Sequence, residues 1–191
     1  MNLQPKPLFV TGIGTGVGKT YVSAHMVETL QADYWKPVQS GDLEASDTIK
    51  VRSLVKNEKS VFHPETYRLT QPFSPHKSAE LDGIRIEPQQ FILPKTTNQL
   101  IIEGAGGLMV PLNDEFLMID LIAQLQAEVV LVVMHYLGSI NHTLLSIEVL
   151  KSRNLPLNRL VFNGIKEVYS ENVISKQHPD LRYEYLDWME I

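Results

Sequence analysis

Residues Gly12 to Thr20 read Gly-Ile-Gly-Thr-Gly-Val-Gly-Lys-Thr and directly follow the apolar run Leu8-Phe9-Val10-Thr11. Glycines at this density let backbone N–H groups curl around an anion, and a helix opening at Lys-Thr adds the positive end of its dipole. The chemistry this predicts is nucleotide binding. Lys19 would reach the β/γ-phosphates and the Thr20 hydroxyl would hold Mg²⁺. Counted from Gly12 to Gly18, the loop is one residue longer than the pattern G-x4-G-K-[ST], which would want glycine where this chain has Ile13.

Six further positions could act on a bound nucleotide. Lys36, just before Pro37 and the segment Val38-Gln39-Ser40-Gly41, is either a surface lysine or a cation that neutralises developing phosphoryl or carboxylate charge; a phosphate loop in the same chain favours the second. Ser40 can donate to the same substrate. Asp47 and Glu103 are the candidate magnesium carboxylates, since Mg²⁺ is held by one or two carboxylates, a hydroxyl and phosphate oxygens. Glu103 ends the apolar run Leu100-Ile101-Ile102, where a charge must be paired, metal-bound or facing a wet cleft. Asn141 either caps a helix or offers its carboxamide to an anion, and Asn163 either turns the chain or reads an adenine edge. The six histidines follow no metal-ligand spacing.

These residues lie far apart in sequence, so a scaffold must bring them together. The chain alternates strand and helix: strands at 8–11, 34–38, 100–103, 129–134, 159–163 and 183–188, and helices after Thr20, at about 47–54, around Ile119–Ala123 and from Asn141 to Leu150. Val129 to Met134 is apolar on both faces, as a central parallel strand is. Pro64, Pro72 and Pro75 make 62–76 an irregular excursion over a ligand site. The expected fold is α/β, a single P-loop NTPase-like domain over residues 1–191 with a mostly parallel central sheet flanked by helices. Such sheets bind ligands beyond the carboxyl ends of their strands, where Thr11, Lys36, Glu103 and Asn163 all fall.

Composition narrows the class. A formal charge of −5 without a basic run argues against a nucleic-acid surface, and the absence of cysteine excludes disulfides, zinc–thiolate sites and a Cys nucleophile. No apolar stretch is long enough to span a bilayer and the start lacks a signal-peptide core, so a cytoplasmic protein is expected.

Taken together, Thr11-Gly12 through Gly18-Lys19-Thr20, Lys36-Pro37-Val38-Gln39-Ser40-Gly41, Ser46-Asp47, Ser74-Pro75-His76, Glu103-Gly104-Ala105-Gly106-Gly107 and Leu137-Gly138-Ser139-Ile140-Asn141-His142 resemble the dethiobiotin synthetase family of biotin biosynthesis. The resemblance implies Mg²⁺ as cofactor and ATP as co-substrate. The reaction it implies takes 7,8-diaminononanoate and CO₂ through a phosphorylated carbamate to a cyclic urea. It places the catalytic lysines at Lys36 and Lys19, and the magnesium set at Thr20, Asp47 and Glu103. Nucleotide contacts fall on Gly16, Val17, Gly18, Lys19, Thr20 and Tyr21, on Asp47, on Glu103, Gly104, Ala105 and Gly106, and on Asn163 and Gly164. Substrate contacts fall on Thr15, Ser40 and Asn141. A homodimer is implied, through the helix that begins near Asn141, whose stripes Ile140, Leu144, Ile147 and Leu145, Val149 exceed what one sheet face needs. Tyr136 stands where the family often has a basic residue, and the segment after Trp188 is short and lacks the usual Pro-Trp. That predicts weak selectivity for the nucleotide base. Two rival readings are a partition-ATPase switch, which would carry a second lysine where this chain has Gly14, and a small-molecule kinase of related fold.

Overall fold

The computed structural model describes residues 5–187. In chain order the elements are β1 (Leu8–Gly12), α1 (Lys19–Leu30), β2 (Asp33–Trp35), β3 (Val38–Ser40), α2 (Asp47–Leu54), β4 (Phe62–His63), β5 (Tyr67–Leu69), α3 (Pro75–Leu81), β6 (Leu100–Gly107), α4 (Met118–Gln124), β7 (Glu128–Val133), α5 (Ser139–Ser152), β8 (Leu157–Asn163), α6 (Val168–Gln177) and β9 (Tyr183–Leu186). Among the described residues, seven strands form one sheet in the order β4-β2-β6-β1-β7-β8-β9, and every pairing is parallel. This is the α/β fold the alternation predicts.

Strand periodicity explains why the central strands are apolar throughout. Successive side chains point to opposite faces, and both faces here are covered. Phe9, Ile102, Leu131 and Phe162 pack on one side with α4 and α5, while Val10, Ile101, Val132 and Val161 pack on the other with Val22, Met26 and Val27 of α1. Leu30, the last residue of α1, is exposed.

Several elements depart from the sequence reading, α3 among them, for which it has no helix. The strand expected over 34–38 ends at Trp35, because Pro37 has no N–H to give a ladder. The chain leaves the sheet there, and Val38–Ser40 pairs instead with Tyr67–Leu69 in a separate two-stranded parallel sheet. The excursion at 62–76 is therefore partly regular. Helix α5 starts two residues before Asn141, with Gly138 at its N-cap in a left-handed conformation (φ 107°). Helix α6 has no counterpart in the sequence reading; its only buried apolar side chain is Ile174, so periodicity had almost nothing to report. The last strand ends at Leu186, and Trp188 lies outside the described residues.

Candidate active site

The phosphate loop joins β1 to α1 across the centre of the sheet, at the carboxyl edge of the strands. Gly18 caps α1 at φ 86°, a conformation that L side chains rarely adopt, and a β-carbon there would collide with the Asn163 carboxamide. Glycine is thus required twice over at this position. Lys19 is buried and folds back to donate to the Gly14 carbonyl at 3.0 Å. Burial lowers its pKa to about 8, against the opposing pull of Glu103.

Facing the loop is a charge cluster of two buried groups, Lys36 and Glu103, and the half-buried Asp47. Lys36 Nζ lies 2.7 Å from Asp47 Oδ2 and 3.3 Å from Glu103 Oε1. Burial alone would push the Lys36 ammonium down, but the two carboxylates outweigh it and hold its pKa above the usual lysine value. Burial would raise Asp47, yet Lys36 keeps it below the usual carboxylate range. Glu103 is 1% exposed and fully engaged: Thr20 Oγ1 donates to its Oε1 at 2.9 Å, and Tyr34 Oη donates to its Oε2 at 2.9 Å. Burial, reinforced by Glu103, raises the Tyr34 pKa far above its ordinary value, so this phenol is a permanent donor.

Local sequence sets each of these positions. Lys36 is the first residue past β2 and cannot swing away, because Pro37 follows it and accepts from Tyr67 N at 3.0 Å. Asp47 opens α2 and Ser46 caps that helix, its hydroxyl accepting from Ile49 N at 3.4 Å. The Asp47 N–H donates to Gln39 Oε1 at 3.2 Å, and Thr48 Oγ1 donates to Glu65 Oε1 at 2.6 Å. Glu103 sits inside β6, which runs on through Gly107 instead of stopping at the carboxylate. Gly104 is needed for packing: a β-carbon there would meet Phe9 Cε1 at 2.7 Å.

A cavity of about 870 Å³ joins these parts and is lined by Thr15, Gly16, Gly18, Lys19, Thr20, Tyr21, Lys36, Ser40, Asp47, Glu103, Gly104, Ala105 and Gly106. Its size suits a nucleotide with a small co-substrate. The Ser40 hydroxyl is buried without a hydrogen-bond partner among the described residues, a donor free for a ligand. Thr20, Asp47 and Glu103 offer only hard oxygen donors on one wall, which fits Mg²⁺. Four expected site residues lie outside this cavity. Val17 is buried under the loop and its carbonyl accepts from Asn163 Nδ2 at 3.0 Å. Gly164 donates its N–H to the Leu186 carbonyl. Asn141 is exposed on the third residue of α5. Tyr34, Gln39 and Glu65 are the supporting residues that sequence reasoning missed; a tyrosine two residues before Lys36 was the visible clue to the first.

An AAA-domain family model matches residues 6–182. The ATP-dependent dethiobiotin synthetase of Christiangramia forsetii is 54% identical over 91% of this chain and 83% of its own length, and that of Cytophaga hutchinsonii is 51% identical over 90% and 83%. This chain belongs to the dethiobiotin synthetase family. The family is one of ATP-dependent enzymes, which agrees with a phosphate loop opening onto a Lys-Asp-Glu cluster. Among solved structures, a putative plasmid partition protein from Borrelia burgdorferi bound to AMPPNP superposes with TM-score 0.57 at 13% identity, covering 96% of this chain and 86% of that one. A ParA-family ATPase from Chlorobium tepidum gives 0.55 at 12%, covering 95% and 84%. At these identities the likeness is one of fold. No helix among the described residues is long and apolar enough to cross a membrane.

Proposed function

We propose that this chain, as one cytoplasmic domain acting within a homodimer, catalyses Mg²⁺- and ATP-dependent ring closure of 7,8-diaminononanoate with CO₂ to dethiobiotin in biotin biosynthesis. One amine of the diamine adds to CO₂ and loses a proton to give a carbamate. A carbamate oxygen attacks the γ-phosphorus and ADP leaves. The second amine then attacks the carbonyl carbon, expels phosphate and closes the urea. Phosphoryl transfer of this kind needs positioning and charge neutralisation, not a protein nucleophile. Lys19 serves the β/γ-phosphates and Lys36 the carbamate end, with Thr15 and Ser40 beside the substrate. Thr20, Asp47 and Glu103 would hold Mg²⁺, which supplies further charge neutralisation to the triphosphate. Asn141 and the exposed side of α5 serve the second subunit.

The observation that supports this reading most is Lys36 held between Asp47 and Glu103 in a relative that is 54% identical to a named dethiobiotin synthetase. A coupled assay tests it. ADP release should require both the diamine and bicarbonate, and dethiobiotin measured by mass spectrometry should match ADP one for one. Vigorous ATP hydrolysis that ignores the diamine would overturn the proposal.

A further inference from the structure

Tyr34 has no role in the reaction proposed above, yet its hydroxyl occupies half of a carboxylate at the centre of the site. The side chain is fully buried in β2, its ring 6.0 Å from Phe62, and its hydroxyl crosses to Glu103 on the neighbouring strand β6. The two carboxylate oxygens are thereby divided. Oε2 accepts the hydrogen bond from the Tyr34 hydroxyl at 2.9 Å, while Oε1 faces Thr20 at 2.9 Å and Lys36 at 3.3 Å, on the phosphate-loop side.

We infer that Tyr34 is a positioning residue that limits Glu103 to one oxygen for a bound cation, and so biases the site toward Mg²⁺ and against Ca²⁺. This rests on the assignment of Glu103 as a magnesium ligand. Mg²⁺ demands a tight octahedron, keeps several waters and uses few protein carboxylate oxygens; Ca²⁺ takes six to eight oxygens and readily binds a carboxylate through both. Turning Glu103 to present both oxygens would strip the Tyr34 hydroxyl of its acceptor inside the core, where an unpaired polar group is costly. Outer-shell partners of metal ligands act in this way, fixing ligand orientation from behind. Gly104, next along β6, closes the same strand against Phe9, so the Glu103 backbone has no freedom to compensate.

The test is Tyr34→Phe, which keeps the ring and removes the oxygen. Mn²⁺ bound to the protein with a non-hydrolysable ATP analogue is followed by electron paramagnetic resonance and displaced in turn by Mg²⁺ and by Ca²⁺. The ratio of the two affinities should move about 10-fold toward Ca²⁺ in the variant. A ratio equal to that of the wild type would overturn the inference, since a purely structural tyrosine lowers stability without changing cation preference. Glu103→Gln separates this from the parent assignment. If Mn²⁺ binding is indifferent to Glu103→Gln, the metal assignment fails and the inference with it; if binding depends on Glu103 while Tyr34→Phe leaves the ratio unchanged, the inference alone fails. Should Tyr34→Phe not fold, crystals of the wild type with nucleotide and either cation decide the matter. Coordination through Oε1 alone is expected, and both Glu103 oxygens on one cation would overturn it.

Discussion

Asn163 reaches across 146 positions of sequence to donate its Nδ2 to the Val17 carbonyl at 3.0 Å, so the end of β8 props the phosphate loop from below. The same carboxamide fills the space a side chain at Gly18 would need. The loop is therefore shaped by its support as well as by its glycines. Gly18→Ala should push the loop off Asn163 and strain a left-handed residue, at a cost of about 1–3 kcal/mol. The variant should fold with a lower melting temperature and lose the upward shift that ATP gives the wild type. An unchanged ATP-induced shift would mean the loop conformation tolerates the extra carbon.

The Lys19 pKa of about 8 gives nucleotide binding a defined pH dependence. A triphosphate favours the charged ammonium, so binding above pH 8 must draw in a proton. The dissociation constant for ATP should be flat below that pH and rise by about tenfold per unit above it. Calorimetry at pH 9 in buffers of different ionisation heat should register proton uptake; none would assign the charge elsewhere. The linkage to stability runs the other way. A lysine whose folded pKa is depressed below 10.5 weakens the nucleotide-free fold at every pH below that value, most fully below about 8. Lys19→Met should therefore raise the melting temperature of the nucleotide-free protein, by about 2–4 °C per kcal/mol recovered, while abolishing ATP binding.

Lys36 carries two duties that one substitution can separate. Lys36→Gln removes charge stabilisation at the carbamate end, so turnover should fall about 10²–10³-fold with ATP affinity nearly intact. It also strands Asp47 and Glu103 without the cation between them. Breaking a buried pair from one side costs about 3–5 kcal/mol, so the metal-free variant should melt well below the wild type. Added Mg²⁺ should restore more stability to the variant than it adds to the wild type. Equal magnesium effects on both proteins would show that the two carboxylates do not share a cation.

The alternation of strand and helix and the convergence of the strands' polar ends were legible because they rest on period-2 alternation and on glycine and proline punctuation, which are local signals. Phe9 and Val10, or Leu131 and Val132, announce a two-faced strand with no further information. The supports of the site were not legible. Tyr34 reads as one more strand aromatic, and Gln39 and Glu65 as loop polars, until the fold sets them against Glu103, Asp47 and Thr48. Their partners lie 69, 8 and 17 residues away, and only two-stranded pairing of β3 with β5 brings the last two together. Helix α6 escaped for a different reason: it faces solvent on most sides and is tied down by Glu171 to His135 instead of by an apolar stripe.

The outer side of α5 should be an interface between two copies of this chain. Leu145 is 55% exposed and lines an apolar cavity of about 400 Å³ with Ile13, Leu108, Val110 and Val149. Leu137, at the turn before the helix, is fully exposed. Leu145→Glu should yield monomers by light scattering that still bind ATP, because the phosphate loop is untouched, but no longer bind the diamine. A wild type that is monomeric at micromolar concentration and fully active would exclude this interface.

Recognition of the nucleotide base should follow from what remains of Asn163 once Nδ2 is committed to Val17. Its Oδ1 is buried and has no hydrogen-bond partner among the described residues, leaving that acceptor free while Nδ2 is held at Val17 by one of its two hydrogens. An acceptor suits the exocyclic amino groups of adenine and cytosine and opposes the carbonyl oxygens that guanine and uracil place at the equivalent position. Gly164, the next residue, spends its N–H on Leu186 and adds no donor. Most binding energy then comes from the triphosphate, which all four nucleotides share. ATP and CTP should lead GTP and UTP, with the whole spread within about tenfold, or roughly 1.4 kcal/mol. Measuring kcat/KM for the four nucleotides checks the order, and Asn163→Ala should flatten it. An ATP preference over CTP above about a hundredfold would require a second, more discriminating polar contact to the base, since a single group of this kind does not supply it.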